Sequence, residues 1–191
     1  CCCVKEKPAA LSNELSIFRL LKEVLVYSMQ GDTAGEPDLK ILVLSDSHRA
    51  IGAMYDAAML EKPDAIIHLG DYVSDAQDLS YALDGADFYM VKGNCDFAAQ
   101  APETIFTELD NVRFFLTHGH LFGVKTDLAR LKREAQALSA QAALFGHTHR
   151  AFCEQENGIW YLNPGAARDG RYALVEIQSG AIVCTLKTLP D

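Results

Sequence analysis

No apolar run in this 191-residue chain approaches the roughly 18 residues of a membrane-spanning helix. No C-x-x-C pair is present either. Cys1, Cys2 and Cys3 are consecutive, and Cys95, Cys153 and Cys184 lie far apart. That spacing excludes a structural zinc knuckle and the framework of a small disulfide-rich domain, and it makes a reducing, cytoplasmic compartment the expectation. Positive charge is scarce: 17 Lys and Arg stand against 26 Asp and Glu, a formal net charge of −9. Such a surface repels polyanions, so no stable nucleic-acid binding is expected, and no basic stripe marks a nuclease of long DNA. Proline is sparse, and no internal repeat or low-complexity tract interrupts the chain. There is no G-x-S-x-G elbow for a nucleophilic serine.

What remains is ordinary globular composition, of a length that suits one domain. The first 38 residues stand apart. Leu11, Ile17, Phe18, Leu20, Leu21, Val24 and Leu25 read as a short apolar helix, and residues 31–38 as a polar linker. Glu6, Glu14 and Glu23 make neither a signal peptide nor a transit peptide of it. Residues 1–38 are expected to be an appendage outside the fold, with Met29 an alternative start, and residues 39–191 to be the domain.

From Lys40 the texture changes. Residues 40–45, 64–69 and 87–92 are apolar runs ending in polar residues, the mark of buried strands. Weaker helical patterns at 50–60 and 77–83 separate them. Residues 104–109 and 112–117 flank Asp110-Asn111 as a hairpin, and 126–140 form the best helix, with Thr126 as its N-cap. A short strand at 142–145 follows. Asn157-Gly158 then joins 151–156 to 159–163, and strands at 171–178 and 181–186 complete the chain. This order predicts an α/β protein of two mixed sheets packed together, with helices outside.

The polar residues gather where these strands end. The clusters are Asp46-Ser47-His48, Gly70-Asp71, Gly93-Asn94-Cys95-Asp96, Thr117-His118-Gly119-His120 and Gly146-His147-Thr148-His149, and they hold five of the six histidines. Successive clusters are separated by about one strand plus its return connection. In an α/β sheet the carboxyl ends of the strands lie along one edge, so the clusters can converge. Taken singly, Asp46 and His48 could cap a helix and Asp71 could shape a turn. Together, seven Asp, Asn and His side chains suit two divalent ions in mixed oxygen and nitrogen coordination: Mn²⁺ above all, with Fe, Zn²⁺, Co²⁺ or Ni²⁺ as alternatives. Two such ions, two carboxylates and a bridging hydroxide leave about one positive charge, a phosphate attractor within an acidic protein.

The ordered set D-x-H, G-D, G-N-C-D, H-G-H and G-H-T-H resembles the calcineurin-like metallophosphoesterase superfamily. Asn163-Pro164-Gly165 and the small size resemble its compact YfcE-like phosphodiesterase branch. The resemblance spans about residues 40–190. It implies a four-layer α/β/β/α sandwich, with one metal on Asp46, His48 and His149, the other on Asn94, His118 and His147, and Asp71 bridging them. It also implies hydrolysis of a small phosphate ester by a metal-bridging hydroxide, with Asp71, Asn94 and His118 at the reacting centre. Cys95, Asp96, His120 and Arg150 would then meet substrate or support the ligands; for Arg150 a merely solvated charge is as good a reading. Homo-oligomerisation is left open. Larger relatives carry a proton-donating His where this chain has Cys95, which predicts a preference for acidic leaving groups. Arg49 and Ala166 also depart from the branch, in which small residues such as Gly and Ser often follow these two motifs. The same fold serves the retromer complex's phosphoesterase-like subunit as a protein-binding scaffold. That alternative requires eroded ligands, whereas all seven positions here are competent. His68 is expected to be a satisfied core histidine, and Cys153 and Cys184 small apolar strand residues.

Overall fold

A computed structural model describes residues 37–190. The reading of residues 1–38 as an appendage therefore lies almost wholly outside the described residues. Asp38, placed in the linker from sequence, is already tied to the domain: its N–H donates to Ile177 O, and its carboxylate accepts from Ser179 N.

Ten strands form two five-stranded mixed sheets. The first is built from β1 (Leu39–Leu44), β2 (Ala65–His68), β3 (Asp87–Met90), β9 (Arg171–Gln178) and β10 (Ala181–Thr188), in the order β10-β9-β1-β2-β3. The second is built from β4 (Thr104–Leu109), β5 (Val112–Thr117), β6 (Ala142–Phe145), β7 (Phe152–Glu156) and β8 (Ile159–Asn163), in the order β4-β5-β6-β8-β7. Helices α1 (Ile51–Glu61) and α2 (Val73–Ala82) serve the first sheet, and α3 (Ala129–Ala137) serves the second.

The alternation of side chains along each strand shows why the strands read as unbroken apolar runs. Ile41 and Val43 of β1 meet Phe114, Leu116 and Leu144 between the sheets, whereas Leu42 and Leu44 meet Met54 and Leu79 of the helices. On the other side, Phe115, Phe145 and Tyr161 pack against Leu131 and Ala135. Three apolar layers between four layers of structure make the α/β/β/α sandwich expected from sequence.

Two helix starts differ from the sequence reading by three or four residues, and the third helix ends at Ala137 rather than 140. The third helix begins at Ala129 rather than 126, because Gly123 O already accepts from Thr126 N and Asp127 Oδ1 accepts from Ala129 N. Helix α2 begins at Val73, four residues before the sequence pattern, because the N–H groups of Tyr72 and Val73 find a carboxylate acceptor on another loop, Asp96 Oδ1.

In the first sheet, β1, β2 and β3 are neighbours and parallel; in the second, β5, β6 and β8 are. Their carboxyl ends deliver residues 45–49, 69–72, 93–96, 118–120, 146–149 and 163–165 to one edge of the sandwich.

Candidate metal centre

Each ligand segment leaves its strand through a sharp turn. Asp46, His48, Asp71, His147 and His149 all have φ between 45° and 68°, a region that side-chain-bearing residues enter rarely. Strain of about 1–3 kcal/mol per residue persists only where the surroundings impose it, and five such residues at one edge mark a functional site.

The surroundings here are hydrogen bonds between loops. Asp96 accepts from Tyr72 N and Val73 N through one oxygen and from Gly93 N through the other, which clamps the Asp71 loop to the Asn94 loop. It is buried, and both its oxygens are taken by backbone N–H groups. A second chain lies beneath Asp46 and His48. His68 Nδ1 accepts from Gly70 N, so its Nε2–H faces Ser47 Oγ at 3.3 Å; Ser47 Oγ donates to Asp75 Oδ2 at 2.8 Å, and Asp75 Oδ2 also accepts from Arg49 N. Asn163 braces the last loop, donating to Gly146 O and Thr148 Oγ1 while accepting from Gly165 N. Sequence reasoning gave Ser47, Asp75 and Asn163 no such roles. Only the recurrence of small polar residues beside the ligand blocks could have hinted at them.

Within this frame the side chains converge. Asp46 Oδ1 lies 3.1 Å from His149 Nε2, and the His48 and His149 rings are 5.3 Å apart. Asp71 spans the centre, with Oδ2 at 3.9 Å from His48 Nε2 and Oδ1 at 3.5 Å from His118 Nε2. Asn94 Oδ1 is 3.2 Å from His118 Nε2, and the His147 ring is 4.9 Å from that of His118. The sets Asp46–His48–His149 and Asp46–Asp71–His118 each bring their ligand atoms within 4.8 Å of one another. His120 stands against His118 and His147. Cys95 donates its N–H to Asp71 Oδ1 and its thiol to Oδ2. Arg150 is exposed and lines a cavity beside the centre.

The donor set fits divalent metal. Leu69 O accepts from His118 Nδ1 at 2.7 Å, which orients the ring so that Nε2 faces Asn94 Oδ1 and Asp71 Oδ1 at the centre. Asp46 Oδ2 is satisfied by Ser45 Oγ and His147 N, yet Asp46 Oδ1 and His48 Nε2 are buried without a hydrogen-bond partner among the described residues. Leaving such atoms unsatisfied costs about 1–3 kcal/mol each, which a bound cation would offset.

Protonation states agree. Burial, then the charges of His118 and Lys125, lower His147 to about 4, so its ring is neutral at pH 7. Burial raises the Asp71 carboxyl, but His118, the two Cys95 donors and His48 outweigh it and hold the group below its ordinary value. Burial, then the hydrogen bond and charge of Asp71, push the Cys95 thiol up to about 11.

Burial also lowers His68 to about 4. A folded value below the unfolded one of ~6.5 means this stabilisation is complete above pH 6.5 and is lost as pH falls toward 4. The loss is on the order of 2–4 kcal/mol. Urea unfolding at pH 7 and at pH 4.5 should show it, and His68→Gln should flatten that part of the slope. An unchanged slope in the variant would exclude His68 as the source.

A sandwich whose parallel strands deliver carboxylate, amide and imidazole side chains to one edge is the framework of the calcineurin-like phosphoesterase fold. The chain belongs to the calcineurin-like phosphoesterase superfamily, whose domain matches residues 39–185. It is 32% identical over 155 residues to the probable metallophosphoesterase YsnB of Bacillus subtilis, across 75% of this chain and 87% of that protein. Over 85 residues it is 36% identical to the phosphodiesterase YfcE of Escherichia coli K12, across 40% of this chain and 42% of that protein. A predicted phosphoesterase from Streptococcus pneumoniae superposes with a TM-score of 0.67 at 34% identity, covering 78% of this chain and 89% of that one. A Vps29 from Entamoeba histolytica shares the fold alone, with a TM-score of 0.65 at 21% identity, over 80% of this chain and 100% of that one.

Proposed function

We propose that this chain is a phosphodiesterase that works with two divalent ions, Mn²⁺ favoured, on a small phosphodiester. The observation that carries the reading is Asp71, whose two oxygens face different histidines, His48 and His118. Asp46, His48 and His149 would hold one ion, Asn94, His118 and His147 the other, and Asp71 both. Bound there, the ions would supply Lewis-acid polarisation of the phosphoryl group and a water acidic enough to ionise near neutral pH.

The chain's own residues do the rest. Asp96, Asp75 and Asn163 hold the loops, so the ligands need little reorganisation. His118 is oriented by donating from Nδ1 to Leu69 O, which turns Nε2 toward the centre. His120, beside His118 and His147, would donate to a phosphoryl oxygen. Cys95 is a poor acid for the departing alcohol, because its proton is held toward Asp71. Esters with acidic leaving groups are therefore preferred. The acidic surface supports a small substrate over a nucleic acid. The wide spacing of Cys95, Cys153 and Cys184 supports a reducing, cytoplasmic setting. Among the described residues no helix is long and apolar enough to cross a membrane.

The test is elemental analysis together with hydrolysis of bis(p-nitrophenyl) phosphate. Two ions per chain, loss of turnover on exhaustive chelation and its return with Mn²⁺ are the expected results. Turnover that survives metal removal would end the dinuclear reading. Metal binding with no turnover of any diester or monoester would favour a scaffold.

A further inference from the structure

Beside the metal centre, an open cavity of about 640 Å³ lies between the end of β6, the start of β7 and the segment leading into α3. Val124, Leu128, Phe145 and Phe152 line it, together with the cations Lys125 and Arg150. Pockets that enclose small organic ligands span ~300–1,000 Å³, typically apolar with a few placed polar groups. Cavity and centre share one loop: Thr148, also in the lining, stands between the predicted ligands His147 and His149. That edge is held in register. Thr148 Oγ1 accepts from Asn163 Nδ2 and from Arg150 N, at 3.1 and 3.2 Å.

The charge of the lining runs against that of the molecule. The chain carries a net −9, yet among the described residues no carboxylate lines this cavity. Among the described residues neither Lys125 nor Arg150 forms an ion pair. Asp127, close to Lys125 in sequence, turns Oδ1 to Ala129 N, and Glu156 is taken by Lys132. Two uncommitted cations beside an apolar wall suit a ligand that is apolar in body and negative at its far end.

We infer that this cavity receives the ester arm that stays on phosphorus, and that it selects an apolar ring bearing a second negative charge. The inference rests on the phosphodiesterase reading and narrows its substrate to diesters with one anionic, aromatic arm.

Three p-nitrophenyl phosphodiesters test it, with methyl, phenyl or 4-carboxyphenyl as the second arm and the same leaving group throughout. For the Mn²⁺-loaded protein, kcat/KM should rise in that order. The step from phenyl to 4-carboxyphenyl should be about fivefold, the size of an exposed ion pair. Lys125→Ala should bring that last ratio close to one, and Lys125→Arg should restore it. Calorimetric titration with phenylphosphonate and 4-carboxyphenylphosphonate, which cannot be hydrolysed, should show the same ratio in affinity and the same dependence on Lys125. Equal values for the two aryl arms, or a ratio indifferent to Lys125→Ala, would overturn the subsite while leaving hydrolysis intact. An affinity ratio that depends on Lys125 in a protein that hydrolyses none of the diesters would uphold the subsite and remove the proposed activity.

Discussion

Asp71→Asn should lower turnover of an activated phosphodiester by roughly 10³-fold or more and leave fewer than two ions bound per chain. The substitution keeps the shape of the side chain and removes the negative charge that would hold two cations together. Asn can still accept from Cys95 N at the Oδ1 position, while its amide would occupy the Oδ2 position near His48 Nε2. The Cys95 thiol then loses its acceptor, a small cost at a half-open site, so the metal-free protein should fold nearly as well as wild type. Loss of one ion removes Lewis-acid stabilisation worth several kcal/mol of barrier, which is where the expected rate loss comes from. Cys95→Ser is the contrast. It keeps a small donor toward Asp71 Oδ2 and leaves every predicted ligand in place, so a change of only a few-fold is expected, largest for poor leaving groups. Metal content and kcat/KM on an activated and an unactivated diester separate the two. If Asp71→Asn keeps both ions and near-normal turnover while Cys95→Ser is dead, the roles are reversed.

Gly70→Ala should be nearly as damaging, for a steric reason. Gly70 has φ +94°, and a Cβ there would lie 2.6 Å from Gly93 N and 2.9 Å from Gly93 Cα. The obstacle is backbone, which cannot swing aside as a side chain can. Strain in the left-handed region and overpacking each cost about 1–3 kcal/mol, so a loss of about 2–5 kcal/mol is expected in urea unfolding. The protein can relieve the clash only by parting the β2 and β3 loops, which separates Asp71 from Asn94, so metal content should fall too. Gly85→Ala provides the control. Its φ is +92°, but nothing lies within 4 Å of the added Cβ, so it carries the strain without the clash. Equal losses in the two variants would show that backbone strain alone accounts for the effect.

The strands were legible in the sequence because burial on both faces makes apolar runs unbroken, as in residues 41–44 of β1 and in β2 and β6. The seven predicted ligands were legible because each follows a strand directly, and a chain leaving a strand puts its polar residues at the sheet edge whatever the order of strands. His68 was legible as a core residue for the same reason, since it ends an apolar run. Helix boundaries were less so: Val73 begins α2 only because Asp96, 23 residues away, supplies an acceptor that no local pattern announces.

Composition and local pattern alone thus determined the class of chain, its strands and the residue types available for chemistry. Tertiary structure alone decided that Asp71 stands between His48 and His118, that Asp96 clamps two loops, that His68 reaches Asp75 through Ser47, and that Lys125 and Arg150 flank one apolar cavity. The physical reason is that each of these contacts joins segments about twenty or more residues apart. Which segments meet depends on strand order and on the sharp left-handed turns at the strand ends, and alternation along a single strand carries no information about either.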